Sequence, residues 1–386
     1  MSMFCFQCQE AAKNVGCTSR GVCGKEDVTS NHMDVLVYNL KGLAWLAARK
    51  ADAGEPIGPE AGFITRGLFA TITNANFDTD RITALTFEAI ERKRALAAAY
   101  ANGGGVPAEV GFEGTTTAEL ESAFDQASVL ATEDEDIRSL REFIVYGLKG
   151  IAAYADHAAV LGYEDEEIYK EIVTELSATI EEHTIDELTG VLVDTGNTAV
   201  KTMALLDAAN TGTYGHPEIT HVNIGTRDRP GILISGHDLK DMAELLEQTK
   251  DTGVDVYTHS EMLPANYYPA FKKYDHFVGN YGGSWYKQNT EFASFNGPIL
   301  MTTNCITPVR PAYRDRIFTT GMAGYPDVPH IADREDGKPK DFSPLIELAK
   351  SCDPPEQIEE GEIVGGFAHH QVEQLADKVV DAVKSG

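Results

Sequence analysis

Four of the six cysteines, Cys5, Cys8, Cys17 and Cys23, fall within the first 23 residues, in the spacing C-x2-C-x8-C-x5-C. A two-residue gap lets two thiolates face one ion or one corner of a cluster, and the longer loop returns the second pair to close a cage. Four unliganded thiols this close would be an oxidation liability without a packing benefit. The cage suits zinc or an iron–sulfur cluster; paired disulfides would need an oxidising compartment, for which the sequence carries no signal. The surroundings favour iron–sulfur. Phe4 and Phe6 add apolar bulk, and Gly16, Gly21 and Gly24 let amide N–H groups approach sulfide. Lys13, Arg20 and Lys25 outnumber the single acid Glu10 over residues 1–25, which offsets the negative charge of a thiolate-bound cluster.

A second set of residues lies farther along. His237 follows the apolar run Ile232-Leu233-Ile234-Ser235-Gly236, Glu261 follows Val256-Tyr257-Thr258-His259-Ser260, and Cys305 follows Ile299-Leu300-Met301-Thr302-Thr303-Asn304. Each run reads as a parallel strand, and ligands of open parallel sheets bind at strand carboxyl ends. An imidazole, a carboxylate and a thiolate make a mixed donor set that suits iron bridged by both oxygen and sulfide. Taken singly, each residue is more commonly a cap, an ion-pair partner or a small buried hydrophobe; their shared position at strand ends gives the set its weight. The glycine-rich, aromatic segment Tyr281-Gly282-Gly283-Ser284-Trp285 reads as a tight loop. Cys352, beside Asp353-Pro354-Pro355, reads as uninvolved, and His369-His370 as a helix start. His32, His157 and His183 read as surface or satisfied core residues.

These residues need elements to hold them. Residues 29–215 read as a helical bundle. A helix capped by Ser30 carries Val35, Leu36, Leu40, Leu43, Leu46 and Ala47 at helical spacing and stops at Gly54. Further helices are expected over Asp80–Ala101, ended by Gly103-Gly104-Gly105; over Asp134–Leu161, with Ile137, Leu140, Phe143, Ile144 and Leu148 on one face; over Glu164–His183; and over Ile185–Ala209. From residue 216 the pattern changes. Strands over 231–235, 254–258 and 298–302 alternate with an amphipathic helix over 238–252, which predicts a Rossmann-like parallel α/β domain covering 216–386. The fold class is therefore α plus α/β, with residues 1–28 as the cluster-binding start of the first domain. The acidic stretch 353–362 reads as a surface loop.

The chain has 386 residues, 42% of them apolar, and a net charge of −28. That charge argues against nucleic acid and against anionic membranes as partners, since phosphate contacts need a basic surface. No apolar run reaches transmembrane length and no secretory segment precedes Cys5, so the expected location is the cytoplasm.

The motifs together resemble the hybrid cluster proteins, also called prismane proteins or hydroxylamine reductases. The resemblance rests on Met3-Phe4-Cys5-Phe6-Gln7-Cys8-Gln9-Glu10, Gly21-Val22-Cys23-Gly24-Lys25, Ser235-Gly236-His237-Asp238-Leu239-Lys240-Asp241, His259-Ser260-Glu261-Met262-Leu263-Pro264 and Thr302-Thr303-Asn304-Cys305-Ile306, and extends over essentially the whole chain. It implies a [4Fe-4S] cluster on Cys5, Cys8, Cys17 and Cys23. It also implies a hybrid [4Fe-2O-2S] cluster to which His237, Glu261 and Cys305 contribute three ligands, with His237 and Glu261 as catalytic residues. The implied activity is reduction of hydroxylamine to ammonia, with nitric oxide reduction as a related role, fed by an electron-donor protein. Members of the family carry a further α/β domain with three more cysteines and a second glutamate, so the hybrid cluster is expected to be only partly liganded here and completed by that domain in the same or another chain. The alternatives are a non-enzymatic electron-transfer or redox-sensing protein with the first cluster alone and, by analogy of fold, a carbon monoxide dehydrogenase-like nickel–iron enzyme.

Overall fold

The computed structural model describes residues 3–101, 105–335 and 337–386. The chain divides into two compact units, residues 1–207 with 324–326, and residues 208–323 with 327–386. The division falls inside a helix that the sequence pattern carries to residue 209 and that runs to Tyr214.

The first unit is helical. Its long helices are α1 (Asp27–Asp52), α2 (Gly58–Ala70), α3 (Thr79–Tyr100), α4 (Glu135–Ala159), α5 (Glu166–Ala178) and α6 (Ile185–Tyr214). The central one is α1, which packs against α2, α3 and α5 and buries Val35, Leu36, Leu40, Leu43, Leu46 and Ala47 as the sequence predicts. It begins at Asp27 rather than after Ser30, because Ser30 is itself buried within the first turns. Carboxylates cap the others. Asp78 accepts from the amides of Asp80 and Arg81, Asp134 from those of Asp136 and Ile137, and Asp165 from those of Glu167 and Ile168. The helix expected over Glu164–His183 is shorter than predicted, and α2, with Pro59 in its first turn, is an addition. On α4 the buried face is rotated from the expected one: Phe143 is 61% exposed, whereas Val145 and Lys149 are buried beside Ile144 and Leu148. Of the glycine stop after α3, Gly103 and Gly104 lie outside the described residues; Gly105 has a left-handed φ of 81°.

One packed acid gives a measurable signature. Glu175 on α5 is buried and accepts from Thr198 Oγ1 at 2.6 Å, while its other oxygen has no partner. Burial pushes its carboxyl up from 4.5 to about 7. The folded state therefore keeps a proton that the unfolded chain releases, and stability falls as pH rises from about 4.5 to about 7. Glu175→Gln should remove that slope and stabilise the protein at pH 8 by on the order of 2 kcal/mol. Thermal melts of both proteins at pH 5 and pH 8 measure it; equal slopes would contradict the assignment.

The second unit holds two sheets. One pairs β1 (Thr220–Asn223) with β8 (Glu362–Gly365), antiparallel. The end of the expected acidic loop thus enters a strand. The other is a parallel sheet of β2 (Gly231–Ser235), β3 (Asp255–His259), β4 (Phe277–Asn280), β5 (Ile299–Met301), β6 (Ile317–Thr320) and β7 (His330–Ile331), in the order β4-β3-β2-β5-β6-β7. Strands β2, β3 and β5 are buried throughout, as strands covered on both faces must be. The chain runs outward from β2 through β3 to β4, then returns to place β5 on the other flank of β2. That reversal is the position at which open parallel sheets form ligand crevices.

Candidate metal centres

Residues 3–26 have little regular structure; among the described residues of this stretch there is one three-residue turn of helix and two isolated bridges. One bridge joins two of the cysteines: Cys5 N donates to Cys17 O at 3.0 Å and Cys17 N to Cys5 O at 2.8 Å. Near Cys23 the backbone folds tightly, with Gly21 N donating to Lys25 O and Gly24 N to Gly21 O. A Cβ on Gly21 would stand 2.9 Å from the Cys23 sulfur, so only glycine allows this approach.

The buried Lys25 stands amid these thiols. Its ammonium lies 3.0 Å from Met33 Sδ, and burial lowers its pKa against the opposing pull of Cys23, Cys5 and Cys8. Burial also raises the Cys5 thiol, which Lys25 and Lys149 pull back down. Lys13 and Arg20, expected to share the compensation, are exposed, and Arg20 is paired with Glu26 at 2.7 Å. The second cation instead comes from Lys149 on α4. Beside Cys5 opens a cavity of about 270 Å³, lined by Lys25, Asp34, Lys41, Glu142, Tyr146 and Lys149 among others. The Tyr146 hydroxyl donates to the backbone carbonyl of Gln7. The donor set fits a thiolate-bound anionic cluster: four cysteines in one short segment, with two buried ammonium groups whose charges reach the thiols. Among the described residues no three His, Cys, Asp or Glu side chains are gathered closely enough to hold a single ion.

The second set stands at the ends of three adjacent strands. His237 follows β2, Glu261 follows β3 and Cys305 follows β5. His237 Nε2 and Glu261 Oε2 are in direct hydrogen-bond contact, and that bond is the largest of the influences holding the Glu261 carboxyl below its ordinary value. Thr303 Oγ1 meets His237 Nδ1 at 2.7 Å, which leaves Nε2 facing the site. Burial pushes the Cys305 thiol up to about 12, and the nearby Glu261 charge adds to this. Of the three predicted residues, His237 and Glu261 are in contact; Cys305 lies within reach of the Glu261 charge but forms no close three-residue group with them.

Backbone strain concentrates here. Ser260, directly before Glu261, and Cys305 itself take left-handed φ values of 52° and 71°, conformations that non-glycine residues avoid unless the surroundings hold them. Gly236 has φ 109°, and a Cβ there would meet Thr302 Oγ1 at 2.4 Å and Thr303 Oγ1 at 2.7 Å. The turn that presents His237 therefore passes directly against the β5 end that carries Thr303.

Sequence reasoning missed Thr303, Lys149 and Tyr146. Thr303 lies inside a recognised motif two residues from Cys305, which was a usable signal; the others come from helices whose pattern says nothing of the site. Cys352 stands apart, its sulfur 3.3 Å from Leu348 O. His369 begins a short helix, as expected, and the buried His32 lies 3.4 Å from Thr83 Oγ1. No helix among the described residues is long and apolar enough to cross a membrane.

Comparison with known proteins extends these observations. The sequence profile described as the Prismane/CO dehydrogenase family matches residues 3–386. A protein of Nitratidesulfovibrio vulgaris named hydroxylamine reductase is 56% identical over 396 aligned positions, covering 100% of this chain and 71% of the relative. One of Halothermothrix orenii with the same name is 55% identical, with 100% and 72% covered. Among solved structures, carbon monoxide dehydrogenase IV from Carboxydothermus hydrogenoformans aligns with 98% of this chain and 60% of its own, at 13% identity and a TM-score of 0.40.

Proposed function

The chain belongs to the Prismane/CO dehydrogenase family, and on that premise we propose that it is an iron–sulfur oxidoreductase of the hydroxylamine reductase type. The observation that carries the reading is the contact of His237 with Glu261 at the ends of adjacent parallel strands, with Cys305 following the strand on the other flank of β2, in a chain 56% identical to a protein of that name. Cys5, Cys8, Cys17 and Cys23 hold a [4Fe-4S] cluster; His237, Glu261 and Cys305 contribute to a hybrid [4Fe-2O-2S] cluster. The chain spans 71% of that relative's length.

When bound, the clusters supply electrons and an open metal position for the substrate nitrogen. The reaction, NH2OH + 2 e⁻ + 2 H⁺ → NH3 + H2O, needs two protons at the site. Glu261, ionised and in reach of His237, is placed to relay them. Thr303 fixes the His237 ring through Nδ1 and leaves Nε2 as its donor atom. Cys305 must lose its proton to ligate, so metal capture there releases one proton. Lys25 and Lys149 would offset the charge of a cluster held by Cys5, Cys8, Cys17 and Cys23.

The competing reading is an electron carrier with the first cluster alone. Metal analysis of anaerobically purified protein separates the two. The proposal expects about four irons in the 386-residue chain and about eight in a version continued to the relatives' length. About four in both would favour the carrier. Stoichiometric zinc without iron would overturn both readings, and stoichiometric nickel would point to a dehydrogenase-like centre.

A further inference from the structure

We propose that Gln288 is the positioning residue that sets where the Cys305 thiol stands. The proposal deepens the reading of Cys305 as a cluster ligand and rests on it. Gln288 opens the short helix Gln288–Ser294 and is 1% exposed. Its Nε2 donates to Cys305 O at 2.6 Å. Its Oε1 accepts from Thr307 N at 3.2 Å and from Thr307 Oγ1 at 3.1 Å. One amide therefore grips the chain on both sides of the buried Ile306, through the carbonyl of Cys305 and the amide of Thr307.

The grip falls where the backbone is strained. Cys305 takes φ 71°, which a residue with a Cβ holds only when its neighbours over-determine it. The donor and acceptors on Gln288 are the groups that do so. Glutamine alone among uncharged side chains of this reach offers an N–H donor and a two-lone-pair acceptor together. Glutamate lacks the donor, asparagine falls short, and methionine fills the space without either bond.

The helix that carries Gln288 is itself tied to a second strand end. Glu291, three residues on, meets His259 Nε2 at 2.9 Å and accepts from Gly283 N at 3.0 Å. His259 ends β3, two residues before Glu261. The same short helix thus fixes the backbone at Cys305 and beside Glu261, and it sets their separation before any metal arrives.

The test is the rate of maleimide labelling of Cys305, read by peptide mass spectrometry on the 386-residue chain depleted of iron with a chelator and checked for folding by circular dichroism. Gln288→Met deletes all three hydrogen bonds that Gln288 makes to Cys305 and Thr307 and should raise labelling at Cys305 at least roughly tenfold, while Cys352 labels at its original rate. Thr307→Val, which keeps the Thr307 amide bond, should raise it by a smaller factor and keeps the idea testable if the first variant fails to fold. Unchanged Cys305 labelling in the folded variants would overturn the proposal. The ligand reading fails separately: if Cys305→Ser in the extended protein keeps its full iron content, Cys305 is not a ligand, whatever Gln288 does.

Discussion

Cys17→Ala should abolish the broad visible absorbance of the anaerobically purified chain and leave residues 3–26 open to proteolysis. Cys17 is the most buried of the four N-terminal cysteines and is tied to Cys5 by two backbone hydrogen bonds. The segment around it has little hydrophobic core or regular structure of its own, so its order depends on the group it encloses. When ligation and local folding are coupled, the metal's binding energy is folding energy, commonly about 10–16 kcal/mol for a structural four-ligand site. Removing one of four thiolates should therefore release the whole segment. Limited proteolysis followed by N-terminal mass analysis should show cleavage before residue 27 in the variant and protection in the parent. A variant that keeps both its absorbance and its protection would exclude Cys17 from the ligand set. Lys25→Met tests the same site from the charge side. It keeps the bulk and deletes the ammonium held among the thiols, so the cluster should become harder to reduce, shown by a lower midpoint potential in a redox titration.

His237→Ala should reduce hydroxylamine turnover by about 10²–10⁴-fold in a protein extended to the relatives' length, the range typical of removing a positioned proton-transfer group. The loss has two sources. The imidazole ligand disappears, and Glu261 loses the neighbour that orients it. Thr303→Val should be milder. It leaves every ligand in place and removes only the partner of Nδ1, for which a roughly 10–100-fold loss in metal affinity or activity is expected. A His237→Ala protein with the parent's kcat and pH profile would remove His237 from the site.

Both candidate sites could be proposed from the sequence because each is written in residue types that have few other reasons to cluster. Cys5, Cys8, Cys17 and Cys23 declare themselves by spacing. His237, Glu261 and Cys305 declare themselves by following apolar runs that had to be buried strands, and β2, β3 and β5 lie side by side in the sheet. The long helices were legible from their apolar spacing; the carboxylates that cap them, Asp78, Asp134 and Asp165, show only in the structure. What escaped was set by distant contacts. Strands β4, β6 and β7 are short and carry Gly279, Asn280, Thr319 and Thr320, so no apolar run marks them. The buried face of α4 was misjudged because Lys149, a residue normally exposed, turns inward toward the thiol-lined cavity while Phe143 faces solvent. Gln288 carries no signal of its own; its role follows only from the fold that brings it beneath Cys305.

The most direct test of the central claim is the anaerobic reduction of hydroxylamine with reduced viologen as donor, following dye oxidation and ammonia together. The account predicts that the protein extended to the relatives' length consumes two reduced dye molecules for each ammonia formed. It also predicts that the 386-residue chain alone, which spans 71% of one such relative's length, is at least about 100-fold slower. Dye oxidation that is independent of hydroxylamine, or ammonia formation that survives unchanged in His237→Ala and Cys305→Ala proteins, would contradict it.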